Sequence, residues 1–582
     1  MKKKKILIVL AILIIIILIA IFATMYFIER SKYDYKIQKV TQIDYNVINV
    51  NDRYGVINRN GDVIIEPTYD IIQIPNPSKD VFICMYEYNV EKKAYKIKVL
   101  NANGEELYKD YSSIQAIPTD TTYDGVPYEK TVLKYEKDGK YGLLNINGKE
   151  ITKPIYDQIS AIAYKEGMLL IKQDDKCGVI NINGKIVIPV EYETITADNY
   201  YSEKNLYKTT GFIVSKKTDE GYRYGYINYK GRKVLDTQYT EIERVTEIQD
   251  DNNAYIVALK DGQAGLLKNS KVLLNYEYED ISYNLYNDVF VIQRNSKQGI
   301  TDRKGNIKIQ PEYDNILFGG IYINAKKDNK LEVLDLNGNK TENQEILSKI
   351  PTKDGKHYII SGEDEIYKIT DENENIIIDK GYSYIEEIED NHYVVANNNK
   401  NGIIDLSGKA NIDLKYNSIF KIENTEIIQA NISSKNSITL IDKNMKVLAS
   451  MENAKVEVQD NYVRIYSDTD NKYFDYEGKE LSAKDVFPNN KLYAKKINEK
   501  WGFVDKDGNL KVQNEYDMVT EFNEYGFAGI KKDGKWGSIN SDGKVVQEPT
   551  YKISWTSPKF IGEFYKSAEW YGDLYYTNKL TK

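Results

Sequence analysis

Lys535-Trp536-Gly537-Ser538-Ile539-Asn540-Ser541-Asp542-Gly543-Lys544-Val545-Val546-Gln547-Glu548-Pro549-Thr550-Tyr551 is one copy of the unit from which the whole chain is built. Its Gly537, Gly543 and Tyr551 stand at relative positions 0, +6 and +14. The same types recur at the same spacing in Gly55/Gly61/Tyr69, Gly142/Gly148/Tyr156, Gly178/Gly184/Tyr192 and Gly225/Gly231/Tyr239. They recur again in Gly299/Gly305/Tyr313, Gly402/Gly408/Tyr416 and Gly502/Gly508/Tyr516. Eight matches to a three-point template define an internal repeat, and a repeat decides the class of fold before any single element is assigned.

Two turn signals punctuate each unit. Asp138-Gly139, Asp261-Gly262 and Asp533-Gly534 come just before the first glycine, and Asn60-Gly61, Asn147-Gly148, Asn183-Gly184, Asp507-Gly508 and Asp542-Gly543 close on the second. Such dipeptides supply the positive φ angles of two-residue type I′ hairpins. Three antiparallel strands per unit are therefore expected. Around Gly142 they are placed at 131–137, 141–146 and 150–155, with 168–173 as a further member. Proline at +12 (Pro67, Pro154, Pro311, Pro549) lacks an amide donor and marks a strand end, bulge or edge. The Tyr-Asp-x-Ile continuation, as in Tyr69-Asp70-Ile71-Ile72, reads as a fourth short strand or as the link to the next unit.

Weaker copies fall near Lys98 and Glu332, at Gly265 with Tyr278, and over 369–382, 438–449 and 473–478. Eight complete and six partial copies make fourteen, at an average spacing of about 37 residues. Insertions at 120–129 and 197–222 are expected to be surface loops.

The stretches Lys535-Trp536-Gly537 and Lys500-Trp501-Gly502-Phe503-Val504-Asp505-Lys506-Asp507-Gly508 resemble the bacterial WG-repeat family, and the likeness extends over nearly everything after residue 40. Most copies carry Tyr, Cys, Ala or Gln where the family has Trp. The resemblance implies an all-β repeat architecture. It implies no chemistry, because the family has no common catalytic motif to carry over.

A three-stranded unit cannot bury its apolar face alone, so neighbours must stack on it. The stack either closes into propeller-like rings, which leave only short protected edges, or winds into an open superhelix. Rings are the favoured expectation: two of seven units, with a boundary near 319–330. The expected organisation is a first array at 41–320 and a second at 321–582, whose aromatic tail over 560–576 closes or caps the stack.

Lys2 to Lys5 precede an apolar run without charge from Ile6 to Phe27. A run of that length suffices for a helix across a bilayer core of ~30 Å, so 1–30 reads as cytoplasmic lysines with a transmembrane anchor and 31–40 as a short linker. Ala20-Ile21-Phe22-Ala23 resembles a signal-peptidase exit, but the apolar run continues past it. The lysines stay cytoplasmic, which places the repeats outside the cell membrane.

Composition excludes several classes of function. The net charge of -8 is spread over 79 basic and 87 acidic side chains, with no basic tract beyond the N-terminus, so no nucleic-acid partner is expected. Two cysteines cannot build a disulfide framework, and Cys177 reads as a buried free thiol. His357 and His392 are the only histidines, neither beside a nucleophile motif, and both read as solvated surface. No catalytic, cofactor or metal residue is assigned. Asp505 and Asp507 serve turn geometry, while Asp250-Asp251-Asn252-Asn253 and Asp468-Thr469-Asp470-Asn471 are loose candidates for weak calcium binding. Paired carboxylates for glycoside chemistry are not identifiable without distances.

Tyrosine is the informative excess, 51 residues against 14 Phe and 4 Trp. Those at the fixed repeat position belong to packing. Candidates for contact are the aromatics outside that register: Tyr200, Tyr201, Trp555, Trp570, Tyr571, Tyr575 and Tyr576. The sequence thus predicts a membrane-anchored, extracytoplasmic binding or scaffold protein that joins protein partners at the bacterial cell surface without catalysis or cofactor. The alternatives are a module binding cell-wall polysaccharide and, behind it, a propeller-type hydrolase or lyase.

Overall fold

The computed structural model describes residues 36, 40, 42–111, 113–119, 126–201, 207–248, 254–459, 461–467, 470–553, 558–566 and 574–576. Among them fourteen β-sheets follow one another along the chain, most of them four-stranded antiparallel meanders like the blades of a propeller. Among the described residues helix is confined to single turns, Ser433–Lys435 and Ala483–Val486.

The expected fold class is corrected in one respect. It included a transmembrane helix at the N-terminus, yet among the described residues no helix is long and apolar enough to cross a membrane. A four-residue helix is about 6 Å long, far short of a bilayer core. The fold class is an all-β array of sheets, and the run 6–27 lies outside the described residues.

The structure divides into two compact units, Met1–Tyr276 with Lys566–Lys582, and Glu277–Tyr565. In the first, sheet 1 begins with Tyr45–Val50, Arg53–Asn58 and Val63–Tyr69. Leu574–Tyr576 adds a parallel strand to it, pairing Val47 with Leu574, Ile48 with Tyr575 and Asn49 with Tyr576. Part of the aromatic tail therefore acts as a closing strand. In the second unit Phe560–Ile561 and Phe564–Lys566 form a small hairpin.

The quoted repeat becomes the last two strands of sheet 14, Lys535–Asn540 and Val545–Tyr551, which follow Phe527–Lys532. The Tyr-Asp-x-Ile segment is both of its proposed alternatives. Tyr69 ends one sheet, Asp70 is the bend, and Ile71–Gln73 opens the next. The strands around Gly142 are Val132–Lys137, Lys140–Asn145 and Glu150–Tyr156, while 168–173 belongs to the following sheet within Lys165–Gln173.

The first turn is as the sequence predicts at Asp138-Gly139, Asp261-Gly262 and Asp533-Gly534. Asp533 and Gly534, at φ 49° and 74°, join the two strands in a two-residue turn. The second is different. Only its glycine has positive φ (Gly543, 81°), and Asn540 and Lys544 bracket three residues with an Asn540 N to Lys544 O bond of 3.0 Å. This is a type I turn followed by a left-handed residue. The Asn or Asp three positions after the first glycine explains it. In thirteen such turns among the described residues, its Oδ1 accepts amide protons from the residues two and four ahead. That side chain supplies the acceptor which closes the loop.

The glycine of the repeat is required by a close approach. Trp536 faces Tyr551 and Ser538 faces Gln547, so Gly537 alone lies opposite Glu548, Pro549 and Thr550. This bulge presses backbone onto its α-carbon. A Cβ there would lie 2.2 Å from Gln547 O and 2.7 Å from Pro549 N. Gly55, Gly225, Gly299, Gly402 and Gly502 meet the carbonyl ten residues on in the same way. Proline at +12 sits inside the bulge, where no ladder donor is needed.

Charge links one sheet to the next. The basic residue two before the glycine pairs with the acid that follows the repeat tyrosine: Arg53 with Asp70, Lys140 with Asp157, Lys176 with Glu193, Lys297 with Asp314 and Lys500 with Asp517. The other oxygen of Asp157 accepts the amide of Asp174, 2.8 Å away in the next sheet's hairpin. The apolar clusters also straddle neighbours. Trp501, Phe503 and Tyr516 of one sheet pack with Phe522, Ile530 and Ile539 of the next, at about 1.5–3 kcal/mol for each large side chain fully buried. No sheet owns its core.

Candidate interaction site

One departure from the repeat is in sheet 2. Its strands Phe82–Asn89 and Ala94–Leu100 run past the usual length and bend where Tyr86 faces Lys96 and Asn89 faces Ala94. Asn89 Oδ1 accepts the Lys92 amide at 2.8 Å and secures the tip. Tyr88 and Tyr95 meet at 4.8 Å between ring centroids, and Val90 at the tip is 77 % exposed.

A cleft of about 810 Å³ opens beside this hairpin, between sheet 2 and sheet 3. Tyr86 and Tyr95 supply aromatic faces to it, while Gln73, Ser113, Gln115, Lys96, Lys134 and Glu136 supply polar groups. Burial lowers the basicity of the Lys134 ammonium, which lies over the Tyr141 ring at 4.7 Å. Gln73 Oε1 has no hydrogen-bond partner among the described residues. Stacking faces beside amide and hydroxyl groups can hold a polar ring or an extended chain. Among the described residues Glu136 is the one carboxylate of this lining.

A second surface is the hairpin tip in the strand pair Asp280–Asn284 and Val289–Arg294. Tyr286 is 97 % exposed and Leu285 55 %. The loop is nonetheless tied down: Asn284 Oδ1 accepts the Asn287 amide at 3.0 Å, and Asn287 Nδ2 donates to Gly320 O at 2.6 Å.

Of the candidates picked from sequence, Tyr200 is buried, with the Arg244 guanidinium 5.6 Å from its ring centroid. Tyr201 ends the strand Thr194–Tyr201 opposite Tyr207. Tyr575 and Tyr576 lie on the closing strand. Trp555, Trp570 and Tyr571 fall outside the described residues, as do Asp250–Asn253 and two members of the 468–471 segment. The sequence reading brings none of these together with the cleft, and it passes over Tyr86, Tyr95 and Tyr286. The structural feature that marks the first two is a hairpin longer than most of its siblings.

The histidines differ from each other. His357 is largely covered and its Nδ1 lies 2.6 Å from Asp354 Oδ2. The Lys356 amide, the Thr352 hydroxyl and the His357 ring hold the Asp354 carboxyl well below its ordinary range. His392 Nδ1 lies 3.0 Å from Asp390 O. Among the described residues no group of His, Cys, Asp and Glu is arranged to hold a metal ion.

In comparisons with known proteins, no curated protein matches the chain. Solved structures with similar local order include a eukaryotic initiation factor at 11 % identity, covering 76 % of this chain and 95 % of that one, with a TM-score of 0.22. The tricorn protease matches at 12 % identity and TM-score 0.19, covering 88 % of this chain and 62 % of its own. Kluyveromyces lactis Hsv2 matches at 10 % identity and TM-score 0.22, covering 51 % and 96 %. Superpositions of that quality carry no argument about arrangement or activity. The family described as "WG containing repeat" matches residues 54–75, 141–177, 178–202, 224–247, 299–330 and 501–536. These stretches carry the bulge-bearing glycine and its paired tyrosine, and the chain contains WG-type repeats at those six places.

Proposed function

We propose that this WG-repeat chain is a non-catalytic scaffold for protein partners at the bacterial cell surface. One observation carries the reading: Leu285 and Tyr286 stand out from a hydrogen-bonded hairpin tip, Tyr286 at 97 % exposure. Aromatic residues held rigidly in solvent are characteristic anchors of protein interfaces. The repeat-register tyrosines and tryptophans are absorbed by packing and do not compete for that role. The cell-surface location rests on sequence alone, on Lys2 to Lys5 ahead of the uncharged run 6–27.

The test is a cross-linked pull-down from membrane fractions with the full chain and a Leu285→Ser/Tyr286→Ser variant. Partners retained by the first and lost by the second support the scaffold. An identical partner set overturns the role of this tip, and recovery of the chain only from the soluble cytosol overturns the location.

The cleft between sheets 2 and 3 supports a second reading, a polysaccharide-binding module of the cell wall. Tyr86 and Tyr95 beside Gln73 and Gln115 form the stacking-plus-amide lining that sugar rings use. Co-sedimentation with purified wall that is lost in Tyr95→Ala would support it over the scaffold.

A further inference from the structure

We propose that the first unit contains a binding site for a small oxyanion, a carboxylate or a phosphate, with the buried Arg244 guanidinium at its base. Arg244 ends the strand Glu241–Arg244, paired with Ile256, and its side chain is 1 % exposed. A guanidinium removed from water requires partners, since leaving such a charge unpaired costs several kcal/mol. Its nearest carboxylate does not satisfy it. Asp198 Oδ2 accepts hydrogen bonds from the Tyr226 hydroxyl at 2.7 Å and the Thr210 hydroxyl at 2.8 Å, and lies 3.8 Å from Arg244 Nε. Among the described residues nothing accepts a hydrogen bond from Nε or Nη1 of Arg244. The Tyr200 face covers the guanidinium at 5.6 Å without taking up its in-plane donors.

Arg244 is one of the residues that border a cavity of about 210 Å³. The turn at Asn228 brings Lys230 and Arg232 to the same cavity, while Thr210, Tyr226 and Asn269 complete its polar wall. Among the described residues three cationic side chains and no carboxylate line it. A planar guanidinium whose N–H groups are fixed and unused matches two oxygens of a carboxylate or phosphate, and the two flanking cations raise the local concentration of anions. Asp198, held by Thr210 and Tyr226, balances part of the guanidinium charge.

The experiment uses the full chain titrated with inorganic phosphate, and separately with acetate, at constant ionic strength set by chloride. Calorimetry and thermal unfolding are the readouts. Saturable binding of either anion, accompanied by a rise in unfolding temperature that chloride does not produce, is expected. Arg244→Gln is expected to weaken it at least tenfold. Should that variant fail to fold, Lys230→Ala, in a half-buried turn, is expected to weaken binding about threefold to tenfold and to reduce its salt dependence. Absence of saturable binding by both anions overturns the proposal. So does unchanged affinity in a folded Arg244→Gln, or in Lys230→Ala where that variant stands in for it.

Discussion

Trp536 stands directly across the strand pair from Tyr551, and between that pair and the next one Gly537 bears the backbone of Glu548, Pro549 and Thr550 against its α-carbon. Trp501 and Tyr516 repeat the relationship around Gly502, as do Tyr54 and Tyr69 around Gly55. The pairing joins the two most distinctive residues of the repeat to one backbone defect.

Substitution at the bulge should therefore be costly for a steric reason. Gly537→Ala places a methyl group 2.2 Å from a main-chain oxygen that cannot rotate away, and a loss of about 3 kcal/mol is expected. Gly408 meets nothing within 4 Å, and its φ of 80° alone limits alanine there, so Gly408→Ala should cost about 1 kcal/mol. Urea unfolding of the two variants checks the order; equal losses would remove the bulge from the explanation.

Acid should act through the turns. Hydrogen bonds from the Asn509 side chain and amide, opposed in part by desolvation and aided by Lys511 and the Asp507 amide, hold the Asp505 carboxyl down at about 2. A carboxyl depressed in the folded state contributes stability above its unfolded pKa of about 3.9, and that contribution is lost as pH falls from there through about 2. Asp302, Asp335, Asp371 and Asp405 occupy the same turn position and are also depressed. Asp505→Asn keeps the acceptor and should reduce the slope of stability between pH 4 and pH 2, measured by chemical unfolding.

Glu521 should give the opposite slope near neutrality. Burial pushes its carboxyl up to about 7, against the lowering influence of the Ala494 amide and the Arg464 guanidinium, and Oε2 has no partner in the structure. The unfolded chain gives up this proton near pH 4.3, the folded one only near 7, so stability falls as pH rises between those values, by up to about 3 kcal/mol. Glu521→Gln should abolish that fall and be the more stable protein at pH 8. A wild-type curve that is flat from pH 5 to 8 would refute this.

The two thiols should react unequally. Cys84 is fully buried, and burial pushes its thiol up to about 12. Cys177 is half-buried, only partly shielded, and its Sγ lies 3.5 Å from Glu193 O. Both are free. A thiol reagent added to the native chain should label Cys177 on the order of 100-fold faster than Cys84, as peptide mapping would show.

At the exposed tip, the prediction separates function from stability. Leu285 and Tyr286 make little contact with the fold, so Leu285→Ser/Tyr286→Ser should change stability by about 0.5 kcal/mol or less while removing captured partners.

The residues that announce the repeat were legible because glycine and tyrosine punctuate it at fixed spacing. That spacing carried the sheet count and the first turn of each unit. The bulge was not legible: Pro549 signalled an interruption of the ladder, but the compression it places on Gly537 depends on a partner strand. The loop at Asn540 was misread because Asp542-Gly543 has the letters of a two-residue turn, while the acceptor that widens it lies two residues before Asp542. Tyr200 falls outside the repeat register, which suggested contact. It is buried because its strand carries it against Arg244, a residue 44 positions away. Neither the cleft nor Tyr286 could be read directly, since both arise from strand lengths and hairpin geometry rather than from residue type.

The parallel pairing of Leu574–Tyr576 with Tyr45–Val50 joins segments more than five hundred positions apart. A ribosome adding 5–20 residues per second needs about half a minute to two minutes to travel between them. Throughout that interval the outer flank of Tyr45–Val50 awaits its mate, open to any extended stranger. Whatever attends the nascent polypeptide must shield that flank until the late segment arrives, so release of a prematurely terminated product would deliver a molecule disposed to clump.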